Sequence, residues 1–227
     1  MSNETEMTKW KQRQFNEWET NEVIVSGIIE KRLEYSYQVK REKFYETSIR
    51  VKRLSSNNDK IPIVISDLLF DEKMKKTIIG KFAKIRGHYK SHNEWGDDGR
   101  KHLKLFLFVT DLQVYNNEFE LEDKENLNLI YLDGFVCNKP EYRITPLGKK
   151  ITHLCIKVNS ENGKSDCIPC ISWGKMAQWA SELNKGDRVK IYGRIQSRQY
   201  FKKYSEKATA GEFKDVYEVS VMKLTRI

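Results

Sequence analysis

The chain contains one architectural unit twice. Val25-Ser26-Gly27 is matched by Leu132-Asp133-Gly134, and Ser48-Ile49-Arg50-Val51 by Cys155-Ile156-Lys157-Val158. Ile61-Pro62 is matched by Ile168-Pro169, and Ser66 by Ser172 after a one-residue gap. The run GKFAKIRG from Gly80 to Gly87 is matched by GDRVKIYG from Gly186 to Gly193. The matches keep one order, at an offset of 107 residues before the gap and 106 after it. Solenoid repeats recur about every 20–50 residues. An offset near 107 therefore means two domains, each about the size of a small independent fold. Hydrophobic residues make up only 39% of the 227, which suits two small cores with much surface each.

Each copy reads strand, strand, strand, helix, strand, strand. In the first copy the strands are expected at 22–33, 44–54, 61–65, 81–89 and 102–115. A helix is expected over 67–79, with Leu68, Leu69 and Met74 on the core. In the second copy strands are expected at 129–136, 149–158, 167–173, 188–198 and 213–224, with a helix over 175–183. That order fits an all-β fold with short helices: two tandem five-stranded OB-fold (oligonucleotide/oligosaccharide-binding) barrels. Gly27, Gly87, Gly134 and Gly193 fall in strands one and four, where a small barrel must bend sharply. The expected organisation is a leader over 1–20 carrying Trp10, Phe15 and Trp18, and a first, diverged barrel over 21–115. An acidic linker over 116–127 (Glu118, Glu120, Glu122, Asp123, Glu125) and a second barrel over 128–227 complete it.

Forty-one Lys and Arg against 32 Asp and Glu give a net charge of +9, and aromatics make up 11% of the chain. That combination points to a polyanionic partner, most economically nucleic acid. No apolar run approaches the roughly 18 residues that span a membrane, and the first residues lack a basic-then-apolar leader. A cytoplasmic protein with reduced cysteines is expected. Cys167-Ile168-Pro169-Cys170 has metal-ligand spacing, but residues three apart on a strand face opposite sides. The four cysteines are therefore read as small apolar residues, and no metal or cofactor is expected. No nucleophile–base pair or phosphate-cradling glycine loop is apparent, so the chain is not expected to be an enzyme.

Single strands are held by cations that neutralise phosphates and by rings that stack on unpaired bases. Along Arg188–Arg198, Val189, Ile191, Gly193 and Ile195 share the core side. Arg188, Lys190, Tyr192, Arg194, Gln196 and Arg198 share the outer side. Tyr200 continues the outer phase, and Phe201-Lys202-Lys203-Tyr204 extends it as a loop expected to fold over a nucleic-acid strand. Trp173 faces out if Ile168 and Cys170 face in. In the first copy Asp67 takes the place of Trp173. Candidate rings there are Tyr37 and Phe44, between strands one and two, and Tyr89 and Trp95, between strands four and five. Those two connections are where such barrels bind oligonucleotides.

The second copy resembles the bacterial single-stranded DNA-binding protein family. The likeness rests on the runs 128–134 (NLIYLDG), 139–148 (KPEYRITPLG) and 166–177 (DCIPCISWGKMA), then 185–189 (KGDRV) and 193–200 (GRIQSRQY). The resemblance implies stacking by Trp173 and Tyr200, and phosphate contact by Arg143, Lys149, Arg194 and Arg198. Two departures stand out. The family commonly has an aromatic where this chain has Cys167, and its acidic C-terminal tail has no counterpart in Lys223-Leu224-Thr225-Arg226-Ile227. Members usually carry one barrel and form tetramers, so two barrels per chain imply a homodimer.

The expected function is sequence-tolerant binding and protection of single-stranded DNA in replication, repair or recombination. The alternatives are a single-stranded RNA-binding or primosome-type adaptor, and an OB-fold protein-interaction module. No small-molecule substrate and no membrane partner are expected. The second barrel, with Trp173, is expected to dominate.

Overall fold

A computed structural model describes residues 20–53, 57–96, 99–115, 127–159, 163–203 and 211–227. The leader over 1–19 and the acidic linker over 116–126 lie outside the described residues.

The first unit runs β1 (Asn21–Ile29), β2 (Glu34–Val39), β3 (Glu42–Lys52) and β4 (Asn58–Ser66). A 3-10 turn (Asp67–Leu69), α1 (Glu72–Thr77), β5 (Phe82–Trp95) and β6 (Lys101–Tyr115) follow. The second repeats the order as β7 (Asn128–Val136), β8 (Glu141–Ile144), β9 (Lys150–Asn159), β10 (Ser165–Trp173), α2 (Gly174–Ala180), β11 (Arg188–Lys203) and β12 (Gly211–Arg226). In each unit the first long strand pairs with the next long strand and with the fourth of the barrel, closing the ring. Parallel pairing of β4 with β6, and of β10 with β12, completes it. These are two five-stranded OB barrels, each with one short extra strand, β2 or β8, folded back on its neighbour.

The barrels close because glycine stands where strands cross. A Cβ on Gly27 would fall inside the Arg50 carbonyl, and one on its repeat mate Gly134 inside that of Lys157. Gly87 and Gly193 meet the carbonyls of Phe108 and Ser220 in the same way, and each sits at a bulge where the register shifts. Pro62 and Pro169 each stand one residue before the parallel pairing begins, where a missing N–H interrupts no ladder on that side.

Two expectations need correction. The helix over 67–79 is divided. Ser66 Oγ accepts from Leu68 N at 3.1 Å and caps the 3-10 turn, and Asp71 Oδ1 accepts from Met74 N at 2.6 Å and starts α1 afresh. The break turns Leu68 outward, 77% exposed, while Leu69 and Met74 pack on the core. The fourth strands are also longer than expected. β5 reaches Trp95 and β11 reaches Lys203, both paired with the following strand to their ends, so the described part, 201–203, of the loop expected over 201–204 is a two-stranded ribbon.

The units join by strand pairing. β1 lies antiparallel to β7, and Val23 faces Ile130, its own repeat mate. An approximate two-fold axis passes between them, as in an isologous dimer made from one chain. Both residues are fully buried, so the two expected cores merge into one apolar cluster. Equivalent contacts flank the axis. Asp59 Oδ1 accepts from Ser197 N at 2.8 Å, and Ser197 Oγ accepts from Lys60 N at 2.9 Å. On the other side Asp166 Oδ1 accepts from Ser91 N at 2.7 Å, and Ser91 Oγ accepts from Cys167 N at 2.9 Å. Asn21 bonds the backbone of Tyr89 through both ends of its amide, as Asn128 does that of Ile195.

Asp59 is fully buried and also holds Arg53, which itself donates to the Ser197 carbonyl at 2.7 Å. Removing one partner of such a pair leaves an uncompensated charge. Asp59→Ala should cost about 3–5 kcal/mol in urea denaturation. Asp59→Asn, which keeps an acceptor for Ser197 N, should cost clearly less.

Candidate nucleic-acid interface

The outer face of the second barrel is set by register. β10 places Cys167, Pro169, Ile171 and Trp173 opposite Lys157, Cys155, His153 and Ile151 of β9. β8 adds Arg143 opposite Ile151. Between them Ile168, Cys170, Leu154 and Ile156 point into the core, each less than 5% exposed. Trp173 stands at the rim, 41% exposed, because Gly174 takes φ 60° and turns the chain straight into α2. Lys149 is exposed at the β8–β9 turn, where Gly148 has φ 73°.

A buried carboxylate organises this face. Glu218 on β12 is 4% exposed and accepts from Gln196 Nε2 at 2.9 Å and from Arg198 Nε at 3.3 Å, both on β11. Its other oxygen lies 4.0 Å from His153 Nδ1. Arg143 Nη2 lies 3.0 Å from His153 Nε2. A guanidinium can only donate, so Nε2 accepts and the imidazole proton sits on Nδ1, toward Glu218. Arg143, His153, Glu218 and Arg198 thus form one chain of contacts across β8, β9, β12 and β11. Burial lowers the His153 pKa, and Arg143 and Arg198 lower it further against the opposing pull of Glu218.

The five residues singled out on this barrel by family resemblance and also described here share this half of it. Trp173 and Lys149 are at the rim, Arg143 and Arg198 are in the network, and Arg194 is half-buried opposite Ser220. Tyr192 stands apart, in the part of β11 that pairs with β7, where its ring centroid lies 4.9 Å from that of Tyr131. Tyr200, Phe201, Lys202 and Lys203 have backbone positions in the ribbon opposite Lys214, Phe213, Glu212 and Gly211. Their side chains lie outside the described part of the structure, as does Tyr204. His153, Gln196 and Glu218 were not foreseen as site residues; the outer phase of Gln196 on β11 was the one available signal.

In the first barrel two candidates are corrected. Tyr89 is fully buried, and its hydroxyl has no partner among the described residues. It shares the phase of Ile85 and Gly87, and its repeat mate is the core residue Ile195. Phe44 is 6% exposed, covered on the outer side of β3 by the Tyr37 ring, and occupies the position of Ile151, which is likewise buried. Tyr37 is 39% exposed and stacks on Phe44, with centroids 4.7 Å apart and planes at 18°. Trp95 is 69% exposed with Lys101 Nζ 5.1 Å from its ring centroid. Asp67, in the place of Trp173, accepts from Lys43 N at 3.1 Å and offers no ring.

The cysteine spacing is also resolved. Cys170 points into the core at 1% exposure and Cys167 points outward, so the closely spaced pair diverges. The outward Cys167 instead meets Cys137 and Cys155, with all three sulfurs within 4.8 Å of one another.

Fold and face together define a tandem OB-barrel protein with one cationic, tryptophan-bearing face. Residues 127–222, which carry the second barrel, match the model of the Single-strand binding protein family. A single-stranded DNA-binding protein from Thermus aquaticus is 29% identical over 119 residues, covering 46% of this chain and 45% of the relative. One from Clostridium tetani is 37% identical over 81 residues, covering 33% of this chain and 56% of the relative. The matched part thus spans about half the length of these curated relatives. The crystal structure of the wild-type Thermus aquaticus protein superposes with a TM-score of 0.69 at 19% identity, over 91% of this chain and 92% of that one. The tandem arrangement is therefore shared.

Because folding lowers the His153 pKa, the unfolded chain takes up the proton first. The contribution of neutral His153 is present above the ordinary histidine value of about 6.5 and is lost as pH falls below it. His153→Gln, which keeps an acceptor for Arg143, should flatten the loss of urea-denaturation stability between about pH 7 and 5. An unchanged slope would show that His153 carries none of it.

Proposed function

We propose that this protein binds single-stranded DNA without strong sequence preference and protects it during replication, repair or recombination. One observation supports this reading above the others. Trp173 is exposed at the rim of a face whose arginines, Arg143 and Arg198, are held in place by the His153–Glu218 network. A ring for stacking and fixed cations for phosphate are the two terms that single-strand binding needs. The relatives from Thermus aquaticus and Clostridium tetani, both single-stranded DNA-binding proteins, agree with it. The geometry favours the second barrel as the principal contact. The first keeps Tyr37 and Trp95 as secondary contacts, without a counterpart of Trp173. The protein acts in the cytoplasm as a non-catalytic homodimer, two barrels from each chain giving four.

Titration with oligo-dT should quench tryptophan fluorescence far more tightly than titration with duplex of equal length. Trp173→Ala should weaken oligo-dT binding by about 1–3 kcal/mol. Arg143→Ala and Arg198→Ala should each lower the log–log salt slope by about 0.7. Equal affinity for duplex and single strand would overturn the reading. Binding of oligo-U as tight as oligo-dT would extend it to RNA, since stacking does not read the 2′-hydroxyl.

Static light scattering should give twice the chain mass without DNA. A monomer mass at working concentration would refute the dimer and leave single-strand binding untouched.

A further inference from the structure

Three cysteines that are far apart in the sequence converge on the outer side of the second barrel. Cys137 follows the end of β7, and its N–H donates to the Cys155 carbonyl at 2.8 Å. Cys155 and Cys167 are diagonal neighbours, facing Pro169 and Lys157 across the β9–β10 pair. The Cys137 and Cys167 sulfurs are 3.9 Å apart, and no pair among the three lies beyond 4.8 Å. All are free thiols, half-buried.

We propose that Cys137, Cys155 and Cys167 form a site for one thiophilic d10 metal ion, Zn2+ or Cd2+, with solvent in the fourth position. Tetrahedral zinc with Zn–S near 2.3 Å sets its sulfurs about 3.8 Å apart. The Cys137–Cys167 edge already has that length, and the longest edge the cluster allows must close by only about 1 Å. Sulfur donors select soft ions over magnesium or calcium. Among the described residues no fourth Cys, His, Asp or Glu joins the three, so the open position belongs to solvent on the exposed side. Binding is proton exchange without electron transfer. Three thiols release three protons to solvent, and three thiolates with a divalent ion leave one net negative charge. Lys157, which faces Cys167 and whose charge acts on Cys137, offsets it. Cys170 takes no part, because it is buried in the core and its sulfur donates to the Ile168 carbonyl at 3.5 Å.

The site lies on the same outer side of the barrel as Trp173 and His153, and it is tested without nucleic acid. The whole chain, reduced and stripped with a chelator, is titrated with Cd2+ while the ultraviolet thiolate-to-cadmium charge-transfer absorption is followed. It should saturate at one ion per chain, and Zn2+ should displace the cadmium. Loss of an outer partner of a metal ligand already costs about 10–100-fold in affinity, so Cys155→Ser and Cys137→Ser should each cost at least about 100-fold. Cys170→Ala should leave the stoichiometry unchanged. Far-ultraviolet circular dichroism verifies that each variant is folded, and Cys137, outside the strands, supplies the reading if Cys155→Ser does not fold. No absorption band on the parent protein, or a band that survives either serine substitution in a folded variant, would overturn the site.

Discussion

The antiparallel pairing of β1 with β7 is the constraint on which the arrangement depends. It sets Val23 against Ile130, buries both, and makes one apolar interior from two barrels. Strand pairing alone tolerates slippage when nothing fixes the register. Here two buried aspartates fix it, each capping a backbone N–H in the long ribbon strand of the opposite unit: Asp59 at Ser197 and Asp166 at Ser91. A one-residue slip would leave both carboxylates without those donors. The hydrophobic seam supplies the attraction and the carboxylates supply the alignment.

The same logic operates on the candidate face. Glu218 is a buried acid on the outer side of a sheet, and it fixes Arg198 directly and Arg143 through His153. Long cationic side chains lose much rotamer freedom when they bind a ligand. Arginines already held by a carboxylate have less left to lose. The first barrel has the carboxylate Asp67 where the second has its rim tryptophan, and its exposed rings sit on the β2–β3 hairpin and at the end of the β5 ribbon instead. The two units share a backbone plan while their surfaces have diverged.

Much of the fold was legible in the sequence, because repeat and alternation are local or periodic signals. The run GKFAKIRG against GDRVKIYG located both fourth strands and their glycines. Trp173 was placed correctly by phase relative to Cys170. Phase places Tyr89 in the core, in step with Ile85 and Gly87, whereas its position near the connection between strands four and five suggested a binding ring. Leu68 was misjudged because two caps, Ser66 and Asp71, lie close enough to split what periodicity reads as one helix. The rest depends on pairings between distant strands. Nothing local in Cys137, His153 or Glu218 announces that β7, β9 and β12 bring them beside Cys167 and Arg198.

The two-fold relation between the barrels has a directional consequence. A rotation that carries one barrel onto the other also reverses any vector perpendicular to the axis. A polynucleotide has a 5′ and a 3′ end, and wherever it runs across the axis it carries such a vector. A strand passing both faces without turning meets the second in the opposite sense from the first. To meet both in the same sense it must double back around the molecule. Equivalent barrels would force that detour. Barrels with different surfaces, as here, are released from it, since each needs to suit only the polarity in which the strand reaches it.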